Sequence, residues 1–252
     1  MSVAAGIPAA YGFRFAGLPV TPWLGAHGAE LWPVLTIERR GRARELDPVA
    51  LCASAPAEAE LGELIHPILS GLAAEAALAR GYDGLHAGGV CGRDGVWVLT
   101  GAREAGKSTL LAACTHAGVE VFTDDVLVFD GGRCFAGPRC LDLRADVGWA
   151  YARAQPVRPT TPRLRLTLPV IAAERPLAGF VHLAWGPKPE LRHLAVSEAL
   201  RRLACCYASG GFTSRRERLL DLAGLPSFEL RRPRNLAALG LTVALLRDRL
   251  LG

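Results

Sequence analysis

The 252-residue sequence predicts an α/β protein, and three apolar runs lead to this prediction. The run at 96–100 has the composition of a buried strand, and a glycine-containing loop and a helix-forming run at 108–114 follow it. Two further strand-like runs, 119–122 and 126–129, lie on either side of an acidic pair. Half of the residues are hydrophobic and 21% are charged, so a chain of this length can bury a large core.

The residues before this region predict smaller elements. Residues 11–15 and 31–39 alternate between apolar and polar side chains well enough for two strands. Residues 57–80 predict a long amphipathic helix. Pro67 is expected to kink or split this helix and Gly81 to end it.

The chain length and these elements predict two units, a small N-terminal α+β subdomain at 1–80 and a main domain at 81–252. Residues 151–176 are rich in Pro, Arg and Thr and lack periodicity, which predicts a flexible loop or a lid. The other predicted elements are strands at 178–185 and 227–230 and helices at 197–208, 214–223 and 235–251.

Residues 101–108, Gly-Ala-Arg-Glu-Ala-Gly-Lys-Ser, match the G-x4-G-K-[ST] pattern of a phosphate-binding loop. In this pattern backbone N–H groups cradle phosphate oxygens, the lysine bridges the outer phosphates, and the hydroxyl sits on Mg²⁺. The chain has only two lysines, Lys107 and Lys188, so a lysine is rare here, and one falls at the required place. The alternative is a glycine-rich turn that matches by accident. The residues expected to contact a nucleotide are Gly101, Ala102, Arg103, Glu104, Ala105, Gly106, Lys107, Ser108 and Thr109.

Asp124 and Asp125 follow the predicted strand at 119–122. Ligands of open α/β sheets bind at the carboxyl ends of the strands. Two adjacent carboxylates between apolar runs are costly unless cations compensate them, and Mg²⁺ and Lys107 are the expected cations. The alternative is a solvated turn with two acidic residues.

These motifs resemble those of a known family, the catalytic domain of HPr kinase/phosphorylase and its smaller relatives. The resemblance is carried by residues 85–87, 96–101, 106–108 and 118–125, with looser matches at 141–144 and 232–237. It implies a P-loop kinase fold of the HPr kinase C-terminal domain and PEP carboxykinase type, with a mixed central sheet and flanking helices. It also implies ATP and Mg²⁺ as cofactors.

The resemblance further implies roles for individual residues. Asp124 is the base that takes the proton from a serine hydroxyl, and Asp125 holds Mg²⁺ together with Ser108, although which aspartate is the base stays open. Lys107 stabilises the transferred group, and His86 sits beside the phosphates. Without the resemblance, His86 would be interpreted as a strand histidine bonded to a backbone carbonyl.

Two later residues complete the implied site. Asp142 takes the place of a metal-linked glutamate, and Arg144 contacts substrate or phosphate. The implied function is an ATP- and Mg²⁺-dependent kinase acting on a serine of a peptide or small protein, in particular a lasso-type natural-product precursor peptide. The alternatives are an HPr-type kinase/phosphorylase, a nucleotide-binding regulatory module without transfer activity, a small-molecule kinase or carboxykinase-like enzyme, and an ATPase.

Composition argues against several other classes. The chain begins without a signal peptide and has no uninterrupted apolar run of 18 residues, so we expect a cytoplasmic protein without a membrane partner. Seven cysteines, an odd number without a Cys-x2-Cys pair, disfavour a disulfide framework or a cysteine metal site. The net charge of +5 comes from arginines without interleaved aromatic residues, so no nucleic-acid partner is expected. The oligomeric state stays open, with a homo-oligomer among the alternatives.

Overall fold

The computed structural model describes residues 8–18, 23–25, 27–41, 45–148, 154–157, 162–206 and 216–252. The described strands are β1 Ala9–Ala10, β2 Phe13–Ala16, β3 Val34–Arg39, β4 Glu45–Asp47, β5 Cys52–Ala55, β6 Asp83–Leu85, β7 Gly88–Gly92, β8 Gly95–Thr100, β9 Val121–Thr123, β10 Leu127–Asp130, β11 Arg133–Phe135, β12 Cys140–Arg144, β13 Gln155–Pro156, β14 Arg163–Thr167, β15 Glu174–Trp185, β16 Glu190–His193 and β17 Ser227–Arg232. The described α-helices are α1 Leu61–Glu63, α2 Ser70–Ala79, α3 Lys107–His116, α4 Ala145–Gly148, α5 Val196–Ala204, α6 Arg216–Ala223 and α7 Leu239–Leu246. Wider π-type turns occur at Leu64–Leu69 and Arg247–Leu251, and a 3-10 turn at Leu236–Ala238.

The largest sheet has nine strands and is mixed. Seven of its strands pair in the order β6-β10-β11-β15-β8-β7-β9. Strand β17 pairs with β15, and β16 pairs with β17. The pairs β8–β15 and β15–β17 are parallel, whereas the remaining pairs are antiparallel. Strand β8 is buried along its whole length between two neighbours, which explains its continuous apolar sequence. These features confirm the predicted α/β class and the mixed central sheet.

A second sheet contains the first five strands in the order β1-β2-β3-β5-β4. The two strands predicted at 11–15 and 31–39 are confirmed, with the bounds Phe13–Ala16 and Val34–Arg39. The apolar core of this sheet includes Val128 and Phe135 of the nine-stranded sheet. The predicted division at residue 80 stays a prediction.

The long helix predicted over 57–80 is two pieces. Helix α1 is a single turn, and α2 begins at Ser70. Between them His66 has an extended backbone, with φ −132° and ψ 125°. The residue before a proline is driven out of the helical region, so Pro67 accounts for the break that the sequence predicted. Gly81, with φ of 85°, follows the end of α2 as expected.

The loop or lid predicted at 151–176 is wrong for much of its described part. Strand β14 pairs antiparallel with β12 along its whole length, and β13 pairs with the other edge of β14. Strand β15 begins at Glu174, within the range assigned to the loop. Leu164, Arg165 and Leu166 are all buried, and the charge of Arg165 is compensated there by an acidic partner described below. Residues 151–153 and 158–161 lie outside the described residues.

The elements at the end of the chain agree with the sequence. The strands predicted at 178–185 and 227–230 are confirmed within β15 and β17. The helices predicted at 197–208 and 214–223 are confirmed over Val196–Ala204 and Arg216–Ala223, and the intervening residues 207–215 lie outside the described part. The final helical region runs over 236–251. Every helix in the described ranges is too short or too polar to traverse a membrane, and all seven cysteines are free thiols.

Candidate active site

The 101–108 loop connects the end of β8 to the first turn of α3, which is the strand–loop–helix order that the pattern requires. Gly106 precedes the helix with a φ of 79°. A Cβ atom at Gly106 would lie 2.3 Å from Nη2 of Arg232, so both the backbone conformation and the close contact favour glycine at this position. The loop therefore leads directly into the amino end of α3. The backbone N–H groups at this end of a helix attract anions.

Lys107 is the first residue of α3 and is buried. Its Nζ donates hydrogen bonds to the carbonyls of Gly101, at 2.9 Å, and Ala102, at 3.5 Å. Burial lowers its pKa, although nearby carboxylates act in the opposite direction. The ammonium group thus lies inside the curve of the loop.

Asp124 follows β9 directly and faces this loop. Its Oδ1 accepts a hydrogen bond from Ser108 Oγ at 3.1 Å, and its backbone carbonyl accepts one from the Tyr11 hydroxyl at 3.2 Å. The side chain is buried, and burial raises the pKa of this carboxyl above its usual value. The structure therefore brings one of the two predicted carboxylates to the hydroxyl at the start of α3.

Asp125 is held by contacts from three side chains. Its Oδ2 accepts a hydrogen bond from Ser70 Oγ at 2.7 Å and lies 3.7 Å from His66 Nδ1, and its Oδ1 lies 3.6 Å from His86 Nδ1. Burial alone would raise the pKa of Asp125, but the contacts with His66 and Ser70 hold it well below its usual value. Asp125 thus remains an anion over the ordinary pH range.

His66 is a site residue that the sequence did not indicate. Its side chain is only 9% exposed. Burial alone would lower its pKa, but the nearby Asp125 carboxylate raises it well above the usual histidine value. His86, which the sequence did indicate, is half exposed beside the same carboxylate. The sequence does not indicate His66, because this residue lies in a run that predicts an amphipathic helix.

Asp142 differs from the expectation. Both of its carboxylate oxygens accept hydrogen bonds from the Arg165 guanidinium, at 2.6 and 2.7 Å, and both side chains are almost completely buried. Such a two-pronged pair satisfies the carboxylate without a metal. Asp142 borders the site, but its geometry is that of a structural ion pair, and we do not assign it to a metal.

Arg144, at the end of β12, forms an ion pair with Glu104 of the loop. Both side chains are more than half exposed, so the pair contributes little stability and can open toward a ligand. Arg232, at the end of β17, is buried and donates to the carbonyls of Ala105, at 2.8 Å, and Gly106, at 3.1 Å. The sequence indicates Arg232 only through a loose match and a general excess of arginine, whereas the structure bonds it to two carbonyls of the loop.

One cavity of about 960 Å³ joins these groups. The predicted site residues that line it are His86, Arg103, Glu104, Gly106, Lys107, Ser108, Thr109, Asp124, Asp125, Asp142 and Arg144. Three predicted nucleotide contacts do not line it, since Gly101 and Ala102 border a second cavity of about 490 Å³ and Ala105 is buried. The side chains that line the large cavity and were not predicted include Glu63, His66, Arg163, Trp185, Arg234 and Asn235.

The donor set at this site suits a hard divalent cation that is shared with a phosphorylated ligand. No group of three or more His, Cys, Asp or Glu side chains among the described residues is arranged for a metal ion. Mg²⁺ in phosphoryl-transfer sites is usually held by one or two carboxylates and by substrate phosphates, with water completing the octahedron. The oxygens of Ser108, Asp124 and Asp125 fit that pattern. The described hydrogen bond of Ser108 runs to Asp124, whereas the expected metal pair was Ser108 and Asp125.

Comparison with solved structures gives distant similarities. The solved HPr(Ser) kinase/phosphatase from Coxiella burnetii matches this chain with 13% sequence identity and a TM-score of 0.34. The match covers 66% of this chain and 94% of that one. At this TM-score the similarity carries no functional conclusion. No protein-family model matches the sequence, and no curated protein matches it significantly.

Proposed function

We propose that the chain is an ATP- and Mg²⁺-dependent kinase that phosphorylates a serine hydroxyl of a peptide or small protein. The observation that carries the proposal is the 3.1 Å hydrogen bond between Ser108 Oγ and Asp124 Oδ1. It places a buried carboxylate beside the first turn of α3, next to the Lys107 ammonium group. A base and a cation around one loop are the groups that phosphoryl transfer needs, because its catalysis is mostly positioning and charge stabilisation.

The residues of this chain have separate tasks in the proposed reaction. The serine oxygen forms a bond to the γ-phosphorus of ATP while the bond from that phosphorus to the β,γ-bridging oxygen breaks, and ADP leaves. The hydroxyl proton passes to Asp124, whose raised pKa suits a proton acceptor. Asp125, which stays anionic, would hold the cation together with Ser108, and Lys107 would stabilise the γ-phosphate. Bound Mg²⁺ supplies neutralisation of the charge that develops on the phosphate oxygens.

The size of the cavity supports an acceptor larger than a solvent molecule. Small-molecule pockets span about 300–1,000 Å³, and the 960 Å³ cavity lies near the top of that range. It extends beyond the loop to Glu63 and Val157, which leaves room for an acceptor side chain beside a nucleotide. The net charge of +5 suits an acidic peptide. The more specific assignment to a lasso-type precursor peptide rests on the resemblance of the motifs.

Transfer of label from γ-labelled ATP tests the proposal. Purified protein is incubated with Mg²⁺ and with serine-containing precursor peptides, with HPr or with no acceptor, and phosphoserine is located by mass spectrometry. We expect label in a serine-containing peptide, and loss of the label when Lys107→Ala removes the ammonium group. The Lys188→Ala variant is a matched control, because it removes the other lysine of the chain, which is exposed and does not line the cavity.

Other outcomes separate the alternatives. Labelled HPr would favour the HPr-type kinase/phosphorylase, and release of phosphate without a labelled acceptor would favour an ATPase. Tight ATP binding with neither reaction would favour a regulatory module. Failure to bind ATP at all would refute the proposed function together with its nucleotide-binding alternatives.

A further inference from the structure

The break before Pro67 brings His66 to the acidic pair. Its Nδ1 lies 3.7 Å from Asp125 Oδ2, which is too long for a hydrogen bond but close enough for an N–H group at that position to attract the carboxylate electrostatically. Both ring nitrogens are shielded from solvent, and neither has a hydrogen-bond partner among the described residues. Burying an imidazole without a hydrogen-bond partner costs folding free energy, so its presence here indicates a role other than stability.

Asp125 is a residue whose conformation needs support. Its φ of 68° lies in the left-handed region, which few residues other than glycine adopt. Such backbones persist where the surroundings fix them, often at functional sites. The surroundings here are Ser70 and His66, both from the 61–80 region, and the half-exposed His86.

We infer that His66 is a positioning residue, which holds the Asp125 carboxylate in the orientation that the proposed phosphoryl transfer requires. The inference deepens the proposed kinase function and rests on it. His66 acts through Asp125 and does not touch the substrate, because its ring nitrogens are shielded from the cavity that it borders. The N-terminal region therefore supplies part of the active site, through a residue outside the motifs that resemble a known family.

Two substitutions separate positioning from simple packing. His66→Phe keeps a ring of similar size but removes the N–H groups, whereas His66→Asn keeps an N–H donor near the place of Nδ1. We expect kcat for transfer to fall by about 10- to 100-fold in His66→Phe, the range typical of groups that orient a metal ligand. The KM for ATP should stay within about twofold of wild type, and His66→Asn should recover most of kcat.

The controls address folding and the general loss of a histidine. His193→Phe is the matched variant, because His193 is exposed and packs edge-on against Phe228 outside the cavity. It should retain wild-type kcat, and thermal unfolding of all variants shows whether any has lost its fold. Wild-type kcat in a folded His66→Phe variant would overturn the inference, as would an equal loss in His66→Phe and His66→Asn.

A measurement without substrate tests the contact itself. The ¹⁵N chemical shifts of the His66 imidazole are recorded in the ligand-free wild type and in Asp125→Asn. We expect them to change on loss of the carboxylate, and unchanged shifts would overturn the inference. If the wild-type protein transfers no phosphoryl group to any acceptor, the proposed function fails, and the imidazole shifts alone decide whether His66 holds Asp125.

Discussion

Replacement of Asp124 by asparagine removes the charge and basicity of the proposed base and little else. Asparagine has nearly the same shape, and its carbonyl oxygen can still accept the hydrogen bond that Ser108 Oγ now donates at 3.1 Å. The backbone carbonyl that accepts from Tyr11 is unchanged. The loop and the amino end of α3 should therefore keep their positions, and ATP should bind nearly as well as to the wild type.

The expected loss of activity is large. A positioned general base contributes about 10²- to 10⁴-fold to a rate, so the barrier to transfer should rise by about 2.7–5.4 kcal/mol in Asp124→Asn. Stability should move in the opposite direction. Because burial raises the pKa of Asp124 in the folded state, stability is lost as pH rises from the unfolded pKa through the folded one. At neutral pH the variant lacks that cost, and its melting temperature should exceed that of the wild type.

Three measurements test this reasoning. Transfer is followed with γ-labelled ATP at saturating acceptor, ATP binding with a fluorescent analogue, and unfolding by calorimetry at pH 7. Asp130→Asn, at the end of the next strand along the chain and outside the cavity, should leave transfer and ATP binding near wild-type values. Full transfer by Asp124→Asn would show that Asp124 is not the base, and the role would pass to Asp125. A lower melting temperature would refute the view that the ionised carboxylate costs stability.

Three further substitutions have defined outcomes. Gly106→Ala places a Cβ 2.3 Å from Nη2 of Arg232 in a left-handed backbone. Strain of about 1–2 kcal/mol should therefore weaken ATP binding by about tenfold, measured by titration. Unchanged affinity would contradict the loop geometry. Arg165→Met leaves the buried Asp142 carboxylate unpaired. The free energy of unfolding, measured in urea, should fall by about 3–5 kcal/mol. A decrease below about 1 kcal/mol would mean that the pair does not stabilise the fold. Burial would raise the pKa of Asp125, but its imidazole and hydroxyl partners hold this pKa low. The ionised carboxylate therefore stabilises the folded state above its unfolded pKa of about 3.9. This stabilisation is lost as pH falls through the folded pKa. The difference in melting temperature between wild type and Asp125→Asn should therefore be largest near neutral pH and close in acid, and a constant difference would refute the assignment.

Local patterns predicted the elements around the loop well, because they depend on neighbours in sequence. The run at 96–100 is buried on both faces of β8 and so has to be apolar, and α3 begins where the loop pattern ends. The same holds for β9, β10 and β15, whose predicted positions agree with the structure within a few residues. The placement of Asp124 at the loop also followed, because strand ends converge at one edge of the sheet.

Contacts between distant segments were not predictable in this way. Arg163 to Thr167 contain two arginines next to proline-rich residues, and nothing local shows that Arg165 is neutralised by Asp142 across a strand pair. The role of His66 depends on a helix break whose direction only the folded chain determines. In each case a polar residue is buried beside a partner that is distant in sequence. The periodicity of a local segment cannot reveal such a partner.

The hydroxyl of Tyr11 donates to the backbone of Asp124 across a sequence separation of 113 residues. This hydrogen bond forms only after both segments have reached their native positions. Contacts between segments that are distant in sequence form slowly during folding. Ser70 and Asp125 repeat the pattern over 55 residues. Catalytic competence should therefore appear late during refolding, after most secondary structure has formed, and fragments that begin after residue 80 should lack it even when they retain the loop.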